Sequence, residues 1–431
     1  MSRQERQGTR TDWSGRRVEV ILGNPAHGGF CVARFEGRVI FVRHGLPGER
    51  VFASITEDRG GSFCFADAVE ILKASEDRVD PLCPVSGPGG AGCCDMSHAS
   101  VPAQRRFAAA VVSEQLRRLG GVERDITVEE IPGGSPNGTL WRTRVRLAVD
   151  AAGSPGYRRY HSNDVVPELA CPQIDAAAYR GLPDQVWRPG AELQVVLDAN
   201  GDRHIVEIAP PVISGTGHKS SPGRRGAAAR RAATSAPRAE KVVEGSGRPV
   251  ERVGDREWTV AATGFWQAHR GAPTTYSGVV AEWAQASEGS TVWDLYGGVG
   301  VFAASLAGQV GSRGSVISVE SSRTAVEDGT AALADLDQIS FRHGRVERLV
   351  GELPAPEVVV LDPPRAGAGK EVVSAIAEAG PRRVIHLGCD PAAFGRDVGL
   401  YRAQGFELAE VRAFAAFPST HHVECLALFT R

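Results

Sequence analysis

No stretch of this 431-residue chain approaches the roughly 18 consecutive apolar residues that a membrane-crossing helix needs, so no membrane span is expected. The first ten residues, MSRQERQGTR, hold no apolar core of the kind a secretory signal requires, and a cytoplasmic protein is the expectation. Neither charge is in excess. The formal net charge is −2, so any affinity for nucleic acid has to come from local patches and not from a global field. The eight cysteines, at 31, 64, 83, 93, 94, 171, 389 and 425, lack the spacing of a disulfide framework and read as reduced thiols. Cys31, Cys64 and Cys425 stand in apolar, strand-like runs, ordinary surroundings for a small buried thiol. The dinucleotide fingerprint GxGxxG does not follow the chain's main glycine-turn strand, which weakens a dinucleotide-binding reading.

What the chain does have is enough length for two or three domains. Residues 16–72 alternate five short β-rich runs with glycine turns, the pattern of a small barrel, and set a first domain at 11–72. Arg34, Arg38, Arg43, His44 and Arg50 on these runs either track a nucleic-acid backbone or are the solvated faces of half-buried strands. Residues 101–121 predict an amphipathic helix closed by glycines, its stripe of Phe107, Val111, Val112, Leu116 and Leu119 serving packing. Runs at 126–150 and 192–212, the second with an Asn-Gly-Asp hairpin turn, make 73–255 a mainly β central region. Within it, 217–252 holds nine Lys/Arg against three Glu and few large apolar groups, which predicts a flexible basic insertion. Its charge suits RNA phosphates, or it is a tolerated surface insertion. From 256 to 431 strands alternate with helices, with strand candidates at 291–295, 315–320, 357–361 and 383–388. That alternation implies a doubly wound parallel sheet, closed by two further runs near 405–414 and 422–429.

Four motifs in that last region carry chemistry. TVWDLYGGVGVFA sets Gly297, Gly298 and Gly300 directly after a strand, allowing a tight turn and close approach to a ligand. Glu320 ends the next strand, where a carboxylate can accept both hydroxyls of a ribose. Asp362 ends the VVVL strand before two prolines, at the sheet edge where open α/β folds place ligands. Together these favour an S-adenosylmethionine site. The residue after Pro-Pro is Arg365, where methyltransferases of exocyclic amines usually carry an aromatic ring that stacks on the base, and this argues for carbon methylation. Cys389 sits between a strand and a helix that Asp390 caps and Pro391 opens, a position that favours thiolate, the nucleophilic form. His421 and His422, adjacent on a strand, point different ways and receive no catalytic role, and His269 reads as packing or RNA contact.

The GGFCVARFEGRVIFVRHGLPGERV stretch resembles a TRAM domain. With GFWQAHRGAP, DLYGGVG, VISVE, LDPPRAG, GCDPAAFGRD and FPSTHHVE in order, the chain resembles the RNA 5-methyluridine methyltransferase family over nearly its whole length. The resemblance implies an α/β class: a Rossmann-like class I methyltransferase domain, an N-terminal TRAM (OB-like) β-barrel and a mainly β central domain. It implies S-adenosylmethionine contacts from Gln267, Tyr296, Glu320 and Asp362. It also implies Cys389 as the nucleophile on carbon 6 of uracil and Glu424 as the base that removes the carbon 5 proton. Gly388 stands where the family usually has serine. The implied partner is structured RNA, ribosomal or transfer, met by a monomer. Many family members hold an iron–sulfur cluster on four cysteines. Cys83, Cys94 and Cys171 keep their places here, but Ala91 replaces one ligand and Cys93 replaces a glycine. The sequence leaves open whether Cys93 substitutes, whether zinc takes the same ligands, or whether the cluster is lost.

Overall fold

The computed structural model describes residues 12–211 and 238–431. At the N-terminus, β1 (Arg17–Ile21), β2 (Pro25–Ala26), β3 (Phe30–Phe35), β4 (Arg38–Arg43), β5 (Arg50–Glu57) and β6 (Phe63–Lys73) form one sheet in the order β1-β5-β6-β4-β3-β2. Period-two alternation decides which side faces in: Cys31, Ile40, Val42, Cys64 and Ala66 are within 1% of complete burial and build the barrel core. The chain then runs without regular strands through Cys83, Cys93 and Cys94 to a helix at Val101–Gln115. Ser100 caps that helix by accepting from the Ala103 amide at 3.3 Å. The helix belongs to no single layer. Ala103, Phe107 and Val111 pack into the barrel core, whereas Val112 and Leu116 enter the core of the C-terminal sheet. Its final turn, Leu116–Gly120, widens to π geometry before Gly121 turns left-handed.

The strand β7 (Val128–Glu129) crosses to the C-terminal sheet, and the central sheet follows. It comprises β8 (Arg144–Val149), β9 (Pro155–Arg158), β10 (Val165–Val166), β11 (Glu192–Leu197), β12 (Arg203–Ile208) and β13 (Glu240–Glu244), in the order β10-β9-β8-β11-β12-β13. The expected basic insertion is shorter than its composition suggested. Residues 238–252 are built into the fold, with β13 paired to β12 and β14 (Val250–Val253) forming a ribbon with β15 (Arg256–Thr259). Cross-strand pairing and the Arg203–Glu244 and Arg238–Glu192 ion pairs compensate for their small apolar content. The remainder of the expected insertion, 217–237, lies outside the described residues.

The C-terminal sheet comprises β16 (Thr291–Leu295), β17 (Ser315–Glu320), β18 (Ile339–His343), β19 (Val358–Leu361), β20 (Arg383–Gly388), β21 (Glu407–Phe414) and β22 (Glu424–Thr430). Its order is β18-β17-β16-β19-β20-β22-β21-β7. The first five are parallel and β22 runs antiparallel between β20 and β21. Val358, Val359, Val360 and Leu361 are wholly buried, as expected of a central parallel strand covered on both faces by helices. The chain reverses its winding between β16 and β19, and the carboxyl ends of these strands form the crevice where such sheets take ligands. No helix among the described residues is long and apolar enough to cross a membrane.

Candidate active site

Around the switch point the glycine turn and three acidic strand ends meet. The Gly298 amide donates to Glu320 at 3.2 Å, which ties the turn after β16 to the end of β17. A Cβ at Gly297 would collide with the Ser318 hydroxyl and the Asp294 carboxyl, so the close approach there requires glycine. Tyr296 precedes it at φ +60°, a left-handed conformation uncommon for tyrosine, and its hydroxyl lies 3.4 Å from Glu347. Gln267 arrives from the loop before the helix Ala272–Ala284 and donates to Asp362 at 3.4 Å. Gln267, Glu320 and Asp362 therefore converge with the glycine turn on one edge. Asp294, beneath the turn, accepts from the Ala303 amide at 3.2 Å; burial nonetheless pushes its carboxyl up to about 7.

The register of the antiparallel pair explains how Cys389 meets Glu424. β20 and β22 pair up to Gly388 opposite Cys425, so the next position sets Cys389 beside Glu424. Asp390 caps the helix Pro391–Ala403 as expected, accepting from the Ala393 amide at 2.8 Å. The ionisation expected of the thiol does not hold in the free protein. Burial, then the Glu424 and Asp362 carboxyls, push Cys389 up to about 12, while Arg365 opposes the shift. Desolvation and two acidic neighbours outweigh the helix end. Burial and Asp362 likewise hold the Glu424 carboxyl well above the usual range, and burial lifts Asp362 to about 7. One Glu424 oxygen, Oε1, is buried with no hydrogen-bond partner, as is the hydroxyl of Tyr276, whose ionisation Glu424 and Asp362 oppose. Buried polar atoms left without partners mark a place that a ligand can complete. At Gly388 a Cβ would approach the Phe394 ring to 3.1 Å, so a serine here would need that ring to shift by a few tenths of an ångström.

Arg365 and His422 lie 3.4 Å apart on the wall of one hollow. Burial and neighbouring cations lower His422 to about 4, so it is a neutral acceptor for the guanidinium. His421 turns the other way and donates from its amide to Asp95 Oδ1 at 3.0 Å, with its ring nitrogen Nδ1 2.5 Å from Oδ2. Asp95 itself is buried, lies 3.7 Å from Arg43 and follows directly after Cys94. Met96 donates to the Ser419 carbonyl at 3.0 Å, Gln104 accepts from the Ser419 amide at 2.7 Å, and Gln173 donates to the Pro418 carbonyl at 3.2 Å. The loop before Glu424 is therefore clasped by four residues that sequence reasoning did not single out. His27, on the barrel's β2–β3 turn, reaches Asp390 at 3.0 Å, next to Cys389. His269 is a packing residue: buried, it stacks on Trp141 and accepts from the Gly271 amide.

The structure bears on two readings that the sequence left open. Among the described residues, no group of three or more His, Cys, Asp or Glu side chains is arranged to hold a metal ion. Cys83 and Cys93 each engage the sulfur of Cys94, which also accepts from the Gln173 amide at 3.2 Å, while Cys171 faces the hydroxyls of Tyr157 and Tyr179. Ala91 supplies no ligand, and Cys171 stands apart against the two tyrosines, so the four cysteines are not gathered into one four-ligand set. The second reading concerns the barrel's cations. Arg43 and His44 are buried and Arg38 is held by Asp58, leaving Arg34 and Arg50 exposed, the latter 3.6 Å from Glu19.

The TRAM domain family matches residues 14–69. An uncharacterized RNA methyltransferase of Corynebacterium glutamicum is 40% identical over 96% of each chain. Another, from Streptomyces coelicolor, is 40% identical over 96% of this chain and 93% of its own. The crystal structure of the Pyrococcus abyssi tRNA (uracil-54, C5)-methyltransferase, in complex with S-adenosyl-L-homocysteine, superposes with a TM-score of 0.69. It is 18% identical and covers 96% of this chain and 100% of that one, which shows a shared fold.

Proposed function

This chain belongs to the RNA methyltransferase family, and from that premise we propose that it methylates carbon 5 of a uridine in structured ribosomal or transfer RNA. The observation that carries the proposal is the pairing of Cys389 with Glu424 across β20 and β22, beside a cofactor edge and Arg365. When bound, S-adenosylmethionine supplies the methyl group from its sulfonium. To Gln267, Tyr296, Glu320 and Asp362 we assign its binding, with Glu320 set for the ribose hydroxyls at the end of β17.

Carbon 5 of uracil is a weak nucleophile. Attack of the Cys389 sulfur on carbon 6 turns the ring into an enolate whose carbon 5 can take a methyl group. The thiol is protonated in the free protein, so it gives its proton to solvent as the site loads, before the sulfur attacks, with Arg365 as the cation within reach of the thiolate. After transfer, Glu424 removes the proton from carbon 5 and the carbon–sulfur bond breaks, restoring the pyrimidine. Burial makes ionised Glu424 a stronger base than an exposed glutamate, which suits that step. The target has to leave its stack to reach Cys389, at a cost met by contacts elsewhere on the RNA.

Transcripts carrying tritium at carbon 5 of uridine test this reading. Each methyl transferred should release one tritium to water and yield 5-methyluridine on nucleoside analysis. Methylated RNA that retains its tritium would place the methyl group on another atom and overturn the proposal.

A further inference from the structure

Outward positions of a barrel strand ordinarily carry polar side chains, because the inward ones fill the core. On β3, β4 and β6 the inward set is complete, yet Phe30, Phe41, Phe63 and Phe65 occupy outward positions. Phe41 and Phe65 are cross-strand neighbours, stacked at 5.6 Å and 29°, and Phe30 and Phe63 stand against them at 5.3 to 6.1 Å. None of the four belongs to a core cluster, and Phe63 is 48% exposed. They floor a groove of about 2320 Å³.

That groove reaches the rim of the candidate active site, for its lining includes Ala392 and His27, the latter 3.0 Å from Asp390 beside Cys389. Its wall includes Tyr160, whose ring lies 3.5 Å from the Arg43 guanidinium and which carries His161 stacked at 3.9 Å. Arg159, Tyr160 and His161 also line a second hollow of about 580 Å³, whose far side is Arg365, His421 and His422. The rim of the large groove mixes Arg34 and Arg159 with Glu57 and Asp67, so its attraction for phosphates is weak. Its floor offers aromatic faces instead. A strand that enters this site through the shared wall therefore meets rings suited to unstacked bases.

We propose that Phe30, Phe41, Phe63 and Phe65 form a base-stacking platform for a single-stranded segment of the RNA flanking the target nucleotide. The inference rests on RNA as the substrate and not on which base atom is methylated. It also replaces the arginine-tracking surface suggested by the sequence, since Arg43 and His44 are buried beneath the neighbouring wall.

The test uses the full-length protein and a fluorescein-labelled single-stranded RNA of about 12 nucleotides, enough for one barrel of this kind. Affinity is measured at several salt concentrations. Phe63→Leu and the double variant Phe41→Leu/Phe65→Leu keep apolar bulk and should fold, as circular dichroism checks. Each lost ring should weaken binding about tenfold with the slope of log Kd against log salt unchanged, because stacking releases no counterions. Arg34→Gln should instead flatten that slope. Leucine variants that bind within twofold of the parent, or whose slope falls with affinity, would overturn the platform. So would a parent protein that ignores single-stranded RNA, or that self-associates through this face and becomes monomeric on Phe63→Leu. The tritium-release assay on structured transcripts is read separately, so failure of the carbon 5 assignment is distinguishable from failure of the platform.

Discussion

Burial, and after it the Glu424 and Asp362 carboxyls that share its corner, push the Cys389 thiol up to about 12 in the free protein. The motif around Asp390 and Pro391 made the helix cap legible, but the carboxyls that oppose ionisation come from Glu424 and Asp362, on other strands. No local pattern reports such neighbours. Glu424→Gln removes the assigned base while preserving shape. Turnover should fall at least about 100-fold, and a covalent protein–RNA species should build up on unmodified RNA, visible as a denaturation-resistant band. Asp294 gives a residue-scale test of the fold. Its folded-state pKa is raised from 3.8 to about 7, so its contribution to stability is full below pH 3.8 and is lost as pH rises through 7. Asparagine mimics the protonated form. The melting temperature of Asp294→Asn relative to the parent should climb between pH 5 and pH 8, on the order of 5 °C. A flat difference across that range would contradict the raised pKa.

Among the elements, the loop before β22 shows what tertiary contacts add to a recognisable motif. FPSTHHVE stands out in the sequence, yet its ties to Asp95, Met96, Gln104 and Gln173 span more than 240 residues of chain and leave no periodic trace. Asp95 is a positioning residue in this account, because it grips His421 while His422 meets Arg365. Asp95→Ala should lower kcat about 10- to 100-fold with KM for RNA little changed, and Asp95→Asn, which keeps one acceptor for the His421 amide, should recover part of the loss. Equal losses in both variants, or a change confined to KM, would mean that Asp95 serves RNA binding or folding alone. Six strands of the C-terminal sheet were legible to within two residues from their apolar runs, whereas Ile339–His343 and the two-residue Val128–Glu129, at its edges, were missed. The strand at Glu240–Glu244 was missed too, because all five of its residues are exposed and pairing with β12 supplies the order its composition lacks.

At the scale of the whole molecule, the helix Val101–Gln115 joins the barrel core to the core of the C-terminal sheet, and His27 carries the barrel to within 3.0 Å of Asp390. The barrel is thereby fixed beside the catalytic edge, an arrangement that strand and helix patterns alone do not encode. The account turns on a sulfur–carbon bond between Cys389 and the target base, and 5-fluorouridine substituted into the RNA tests it most directly. Fluorine cannot leave carbon 5 as a proton, so after methyl transfer the protein should remain joined to the RNA. Mass spectrometry of the digested complex should then place the methylated 5-fluorouridine on the peptide containing Cys389, and Cys389→Ala should give no adduct. Steady turnover without an adduct, or an adduct on another residue, would contradict it.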